Sequence, residues 1–119
     1  MPWSSGDRPV YELKAELFKG LAHPVRIRTL EILAAGDEVS VADLQAELGL
    51  EPSHLSQHLA VLRRYRLVTA ERRASHAYYR LSDPRVAELL SAARALLTSL
   101  LASQGALAAD AAAPASTRP

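Results

Sequence analysis

The chain has 119 residues, no cysteine and a formal net charge of +1. This length suits one domain with a modest core, and the lack of cysteine excludes disulfides, thiolate metal sites and a thiol nucleophile. No uninterrupted apolar run reaches the ~18 residues of a membrane span, and the N-terminus lacks the basic-then-apolar order of a signal peptide. We therefore expect a cytoplasmic protein with no membrane partner.

The small net charge hides a separation of positive and negative residues. Between residues 51 and 80 there are six arginines and only two acidic residues. A basic face on a nearly neutral protein is the electrostatic pattern expected of a protein that binds nucleic acid. The alternative is an ordinary solvated surface that happens to be charged.

The first part of the chain predicts a short arm followed by two helices. Residues 1–8 are mostly small and polar, which predicts a flexible arm. From Pro9 the apolar residues recur at helical spacing, and Pro24 is suited to the first position of a second helix, which Gly36 ends.

Residues 40–64 predict a helix, a tight turn and a second helix. Ser40 is a favourable N-cap, with Asp43 three residues later as its capping-box partner. Gly49 supplies the left-handed residue that ends the first helix, and Pro52 opens the second. In that second helix three leucines recur at i, i+4 and i+7 and are predicted to face inward: Leu55, Leu59 and Leu62.

The outer face of the second helix predicts a reader of the DNA major groove. Glutamine can bond an adenine edge with two hydrogen bonds, serine and histidine can donate or accept, and arginine binds phosphate or guanine. Two arginines follow directly. The candidate DNA-binding residues in this segment are Ser53, His54, Ser56, Gln57, His58, Arg63 and Arg64.

Residues 67–81 change to a period of two and predict a β-hairpin with its turn near Ser75. A hairpin that directly follows a recognition helix is a wing. Arg72, Arg73 and His76 near its tip are candidates for contacts to phosphate or to the minor groove. A hairpin that only covers the core would explain the tyrosines of this segment but not the arginines at its tip.

A last helix is predicted to begin after Ser82, with Asp83 or Ser82 as its cap and Pro84 in its first turn. Its apolar residues cover more than one ~100° stripe, which is wider than a helix on a monomer core requires. The simplest explanation is that a second copy of the chain covers the remaining apolar surface of this helix. Residues 9–103 would then form one DNA-binding and dimerisation domain, and the Ala- and Pro-rich residues 104–119 a disordered tail.

The stretches LFKGLAHPVRIRTLEIL and SHLSQHLAVLRRYRLV, with a wing and a long final helix, resemble the ArsR/SmtB family of bacterial regulators. The resemblance covers residues 13–101. It implies a mainly α-helical winged helix-turn-helix fold and a homodimer that binds an imperfect palindrome in duplex DNA, usually as a repressor. It also implies a dimer interface on the first and last helices, for which the candidates are Leu13, Leu17, Val86, Leu90, Leu97, Leu100 and Leu101.

The chain departs from that family's known metal sites. Val39 and Val41 stand where the third-helix cysteine pair often occurs. In the final helix Asp83 remains, but the other three ligand positions are Arg85, Leu96 and Ser99. One carboxylate does not hold a transition metal, so no cofactor is assigned from these sites.

Three alternatives remain open from the sequence. A nickel- or zinc-responsive regulator, which could be an activator, would need another site, such as His54 with His58 at i, i+4, or a histidine with Asp7, Glu12 or Glu16. A winged helix could instead bind protein. An enzyme is not expected, because Ser53 beside His54 forms no triad and no Gly-rich phosphate loop or paired-carboxylate cleft is present.

Overall fold

A computed structural model describes residues 6–105. The chain divides into two compact units, the first ending at Ala87 and the second beginning at Glu88. Within the described residues the elements are α1 (Val10–Leu21), α2 (Pro24–Gly36), β1 (Val39–Ser40), α3 (Val41–Leu48), α4 (Pro52–Arg64), β2 (Val68–Arg73), β3 (His76–Leu81) and α5 (Arg85–Ser103). The winged helix-turn-helix fold predicted from the sequence is confirmed. Most of the predicted arm and tail lies outside the described residues.

The predicted start and end of α3 are both present. The Ser40 hydroxyl accepts a hydrogen bond from the Asp43 N–H at 3.1 Å, as an N-cap does. Gly49 is left-handed with φ 67° and ends the helix. Because both signals are local, the sequence was sufficient to predict the boundaries of this helix.

The core of the first unit is built mainly from leucines of five segments. Leu55, Leu59 and Leu62 of α4 are buried, as their spacing predicts. The other buried leucines are Leu21 of α1, Leu30 and Leu33 of α2, Leu44 of α3 and Leu67 before β2. Thr29 is the one buried polar residue of the described chain, and its hydroxyl donates to the Val25 carbonyl at 2.7 Å. Because the three leucines of α4 lie on one side of the helix and face the core, the opposite side of α4 remains exposed.

The sheet has three strands, in the order β1-β3-β2, rather than the two of a simple hairpin. Val39 pairs with Tyr79 and Ser40 with Tyr78, both antiparallel. A two-residue strand is too short to show a period of two, so periodicity does not reveal β1. The pairing ties the base of the wing to the start of α3.

The chain leaves α4 through a motif that turns it directly into β2. The Leu67 N–H donates to the Leu62 carbonyl and the Arg66 N–H to the Arg63 carbonyl, both at 2.9 Å. Arg66 is left-handed with φ 60°. These two bonds and the left-handed residue are a Schellman motif, in which glycine is the usual residue.

Helix α5 begins as predicted but differs from expectation at Val86. The Asp83 carboxylate accepts from the Arg85 N–H and side chain, and these bonds lower the pKa of Asp83 to about 2. Val86, expected in a dimer interface, is only 8% exposed and already belongs to the core of the first unit. It therefore has little surface to offer a partner.

The second unit exposes a large apolar surface on α5. Leu96, Leu97 and Leu100 are 60%, 53% and 55% exposed. By length and composition alone α5 is long and apolar enough to cross a membrane, with a mean hydropathy of 1.4, although Glu88 and Arg94 interrupt its apolar residues. The same composition suits a helix that is covered by another protein chain.

Candidate nucleic-acid interface

The outward face of α4 carries the polar side chains predicted to read DNA. Ser53, His54, Ser56 and Gln57 are all exposed, on the side of the helix opposite its buried leucines. Within residues 6–105, none of these four side chains has a hydrogen-bond or ion-pair partner. Their donors and acceptors are therefore available to base edges without first breaking an intramolecular bond.

His58 is placed differently from its four neighbours. It is half-buried, its ring centroid lies 4.3 Å from that of His23, and its Nδ1 lies 3.5 Å from Nη1 of Arg26. Burial lowers the pKa of His58, and His23, Arg26 and His54 lower it further by charge repulsion. The structure thus packs His58 between α4 and α2, at the edge of the face it was predicted to share.

Arg26 joins three helices at this point, a role that the sequence did not reveal. Its Nε donates to the Gly20 carbonyl at 2.8 Å and its Nη2 to the Lys19 carbonyl at 3.1 Å, so it caps the C-terminus of α1 from within α2. Its third nitrogen is the one beside His58. The available signal was an arginine shortly after a predicted helix end, which by itself is common.

The basic residues at the end of α4 are exposed. Arg63 and Arg64 occupy the last turn, where positive charge is favourable to the helix dipole. The Arg64 guanidinium lies 5.7 Å from the ring centroid of Tyr65. Both can reach solvent or phosphate from the C-terminal end of the predicted recognition helix.

The wing brings its basic residues to one end of the sheet. Strands β2 and β3 are joined by the two-residue turn Ala74–Ser75, and Arg73 pairs directly with His76. Arg72, Arg73 and His76 are exposed near this turn, as predicted. The wing is therefore a second basic projection of the same unit that carries α4.

Arg73 makes contacts that the sequence did not predict. Its guanidinium forms two hydrogen bonds with the Glu38 carboxylate, at 2.8 and 3.3 Å, and lies 4.1 Å from the ring centroid of Tyr78. The hydrogen-bonded Glu38 raises the pKa of Arg73 above its ordinary value. Arg72 has a single long hydrogen bond, 3.5 Å to the Ser75 carbonyl of the turn.

The residues considered for a metal site are engaged elsewhere or stand apart. Glu12 and Glu16 both face the Arg8 guanidinium, at 3.3 and 4.0 Å. His58 faces Arg26, a cation, and His54 is exposed. Over residues 6–105 no three histidine or acidic side chains converge as metal ligands would.

Comparison with known proteins agrees with this geometry. A helix-turn-helix domain family matches residues 21–71. The HTH-type transcriptional regulator Rv0081 of Mycobacterium tuberculosis is 46% identical over 102 residues, which cover 86% of this chain and 90% of that protein. Its crystal structure superposes with a TM-score of 0.76 over 84% of this chain and all of that chain.

Two named repressors are also similar. The crystal structure of the transcriptional repressor BigR from Xylella fastidiosa has a TM-score of 0.65 and 36% identity, covering 70% of this chain and 84% of that chain. The transcriptional repressor SmtB homologue of Synechocystis is 40% identical over 75 residues, which cover 63% of this chain and 56% of that protein. The helix-turn-helix match contains α4, the helix whose outward face carries the free polar side chains.

Proposed function

Because this chain belongs to the ArsR/SmtB family of winged helix-turn-helix regulators and is a DNA-binding transcriptional regulator, we propose that it acts in the cytoplasm as a homodimeric repressor on a palindromic operator. BigR and the SmtB homologue are named as repressors, which favours repression over activation. The observation that carries the proposal is the outward face of α4, polar and without internal partners, held in place by three buried leucines.

Base reading is assigned to four residues of that face. Gln57 is central, since its amide can donate to and accept from one adenine at the same time. Ser53, His54 and Ser56 lie beside it and can bond neighbouring base edges or phosphates. His58, packed against His23, supports the helix and contacts DNA only at the margin.

Phosphate contacts are assigned to Arg63, Arg64 and the basic residues of the wing, including His76. Such contacts fix the position of the protein on the duplex and give binding its dependence on salt, but they carry no sequence information. The wing and the end of α4 belong to one compact unit, so they can engage the same stretch of backbone.

Dimerisation is assigned to the apolar surfaces of α1 and α5. Leu97 and Leu100 of α5 are exposed, and Leu90 and Leu101 are half-exposed. On α1, Val10, Tyr11 and Phe18 are exposed and Leu13 and Leu17 half-exposed. A two-fold dimer would present two α4 helices about 34 Å apart, so that they enter successive major grooves.

The test is a Gln57→Ala variant. We expect it to lose about 1–3 kcal/mol of preference for the operator over random duplex and to relax the preference at one base pair per half-site. The operator is first selected from a random DNA library with the unaltered chain, and affinities are then measured by fluorescence anisotropy. Gln104→Ala removes the same exposed amide outside α4 and should change nothing. Full discrimination by the Gln57 variant would contradict the assignment.

A further inference from the structure

The two adjacent arginines of the wing lie on opposite faces of the sheet. Residues directly opposite one another in an antiparallel pair share a face. Arg72 pairs with Ala77, two positions along from the Ala70–Tyr79 pair, so it shares a face with the buried Tyr79. Arg73 pairs with His76 on the other face, together with Tyr78.

The core face is the one turned toward the helices, because its members Val68 and Tyr79 are buried. Strand β2, whose buried Val68 belongs to this face, contacts α4. Arg72 therefore continues the face of β2 that carries Val68, beyond the core, and its only hydrogen bond among the described residues is the long one to Ser75. Its charge is available to a ligand that α4 also touches.

Arg73 is held chiefly by a residue from a distant part of the chain. Glu38, 35 positions earlier, accepts two hydrogen bonds from it, and Tyr78 lies beneath its guanidinium. Glu71 adds a weaker contact at 3.9 Å. Glu38 directly precedes β1, so this contact joins the free end of the wing to the segment that leads into α3.

We propose that the two wing arginines have different tasks: Arg73, held by Glu38, positions the wing, and Arg72 contacts the DNA phosphate. The inference rests on the proposed DNA-binding function and deepens it: of the two wing arginines, it leaves only Arg72 among the phosphate contacts assigned above. Glu38 becomes a positioning residue for DNA binding although its own charge repels phosphate.

One substitution distinguishes this proposal from direct contact between Arg73 and the DNA, because the two predict opposite changes in DNA affinity. If Glu38 only neutralised a phosphate-binding arginine, Glu38→Gln would release Arg73 and tighten binding. If Glu38 anchors the wing, Glu38→Gln should weaken binding by about two- to fivefold, the range for an exposed ion pair. Glu31→Gln, which breaks the half-buried Arg28–Glu31 pair on α2, makes the same charge change away from the wing and is the matched control.

A charge exchange provides a rescue. The Arg73→Glu variant should bind weakly, and adding Glu38→Arg should restore affinity, because the pair is re-formed with its charges reversed. Direct phosphate contact by Arg73 predicts no rescue, since a carboxylate would then face the DNA. A double variant that binds no better than Arg73→Glu alone, or a Glu38→Gln variant that binds as tightly as Glu31→Gln, would overturn the proposal.

The task of Arg72 is read from the dependence of affinity on salt. Arg72→Gln should make the slope of log K against log salt concentration less negative by about 0.9 for each phosphate that the variant no longer neutralises. An unchanged slope would overturn this part.

All measurements use the full chain and a duplex selected by it from a random library. If the unaltered chain selects no sequence, the proposed function itself fails, whereas a selected sequence with the wrong variant results refutes only this inference.

Discussion

Arg66 is a residue in a conformation that its type does not favour. With φ 60° it lies in the left-handed region, where the β-carbon of an L-residue is crowded at a cost of about 1–2 kcal/mol. The Schellman bonds of Leu67 and Arg66 require that conformation in order to turn α4 into β2. Ser82 reinforces it from outside, since its hydroxyl donates to the Arg66 carbonyl at 2.7 Å.

Replacing Arg66 with glycine should therefore stabilise the protein. The relief of left-handed strain is partly offset by the greater freedom of glycine in the unfolded chain, about 0.4–1 kcal/mol, which leaves a gain of about 0.5–1 kcal/mol. Urea unfolding measures the change. Arg66→Ala removes the same charge but keeps the β-carbon, so it should show no such gain, and equal stability of the two variants would contradict the strain argument.

At position 20 a glycine is required because there is no room for a side chain, not because of its backbone conformation. A β-carbon at this position would lie 2.7 Å from Cγ of Tyr65, much closer than carbon atoms approach without movement. The structure gives the residue a packing role, because Tyr65 at the end of α4 lies directly on the last turn of α1.

At the scale of elements, α4 is docked on the rest of the unit through a cluster of basic side chains as well as through leucines. His58 on α4 meets His23, the N-cap of α2, and Arg26 within α2, and His54 lies one turn earlier on α4. Burial, followed by these three neighbours, lowers the pKa of His58 below its ordinary 6.5. Protonation of His58 is thus disfavoured in the folded protein compared with the unfolded chain.

Stability should consequently fall in mild acid. Below pH 6.5 the unfolded chain binds a proton at His58 more readily than the folded chain does. The contribution of neutral His58 to the free energy of unfolding is therefore complete above pH 6.5, and it is lost as the pH falls toward the lower pKa of the folded state. Urea unfolding at about pH 7.5, 6.5 and 5.5 should show a smaller pH dependence for His58→Gln than for the unaltered chain. His76→Gln, which alters an exposed histidine of the wing, is the control and should keep the full dependence; identical curves for all three would refute the argument.

The elements that the sequence predicted are those specified by neighbouring residues. The Ser40 cap, the left-handed Gly49 and the Asp83 cap each depend on residues within three positions, and all are present. The buried stripe of α4 follows from leucine spacing alone. The change to a period of two over residues 67–81 likewise predicted the wing, and the resemblance to a known family implied the same order of elements.

The features that the sequence did not predict depend on contacts between distant residues. Arg26 meets His58 across 32 positions, and Arg73 meets Glu38 across 35. Neither pair has a fixed spacing that could have indicated it. For the same reason Val86 could not be separated from the other apolar residues of α5, because only the packed structure shows that it is already buried.

For the whole molecule, the decisive surface is the exposed apolar side of α5. Leu97 and Leu100 are three positions apart and lie on one side of the helix, and each is more than half exposed. Full burial of an exposed leucine contributes about 1.5–3 kcal/mol, and roughly half of that can still be gained by each of these half-covered side chains when two helices cover each other's leucines. This is the physical basis for the proposed homodimer.

Glutamates at both positions should separate the proposed dimer. The Leu97→Glu, Leu100→Glu variant would place four carboxylates in the interface of two chains, and each would be costly to bury. Sedimentation equilibrium should show a dimer for the unaltered chain and a monomer for the variant. Ser99→Glu adds a carboxylate on the opposite side of α5 and should leave the dimer intact. A variant that remains dimeric would exclude α5 as the interface.

Dimerisation through the exposed leucines of α5 would also link transcriptional output to protein abundance. If pairing through α5 is what creates a high-affinity DNA binder, then at low expression the number of competent molecules rises with the square of the amount synthesised. Gene silencing would then begin abruptly once a threshold level is crossed, and dilution by cell growth would lift it equally sharply. A switch of this kind would need no small-molecule signal.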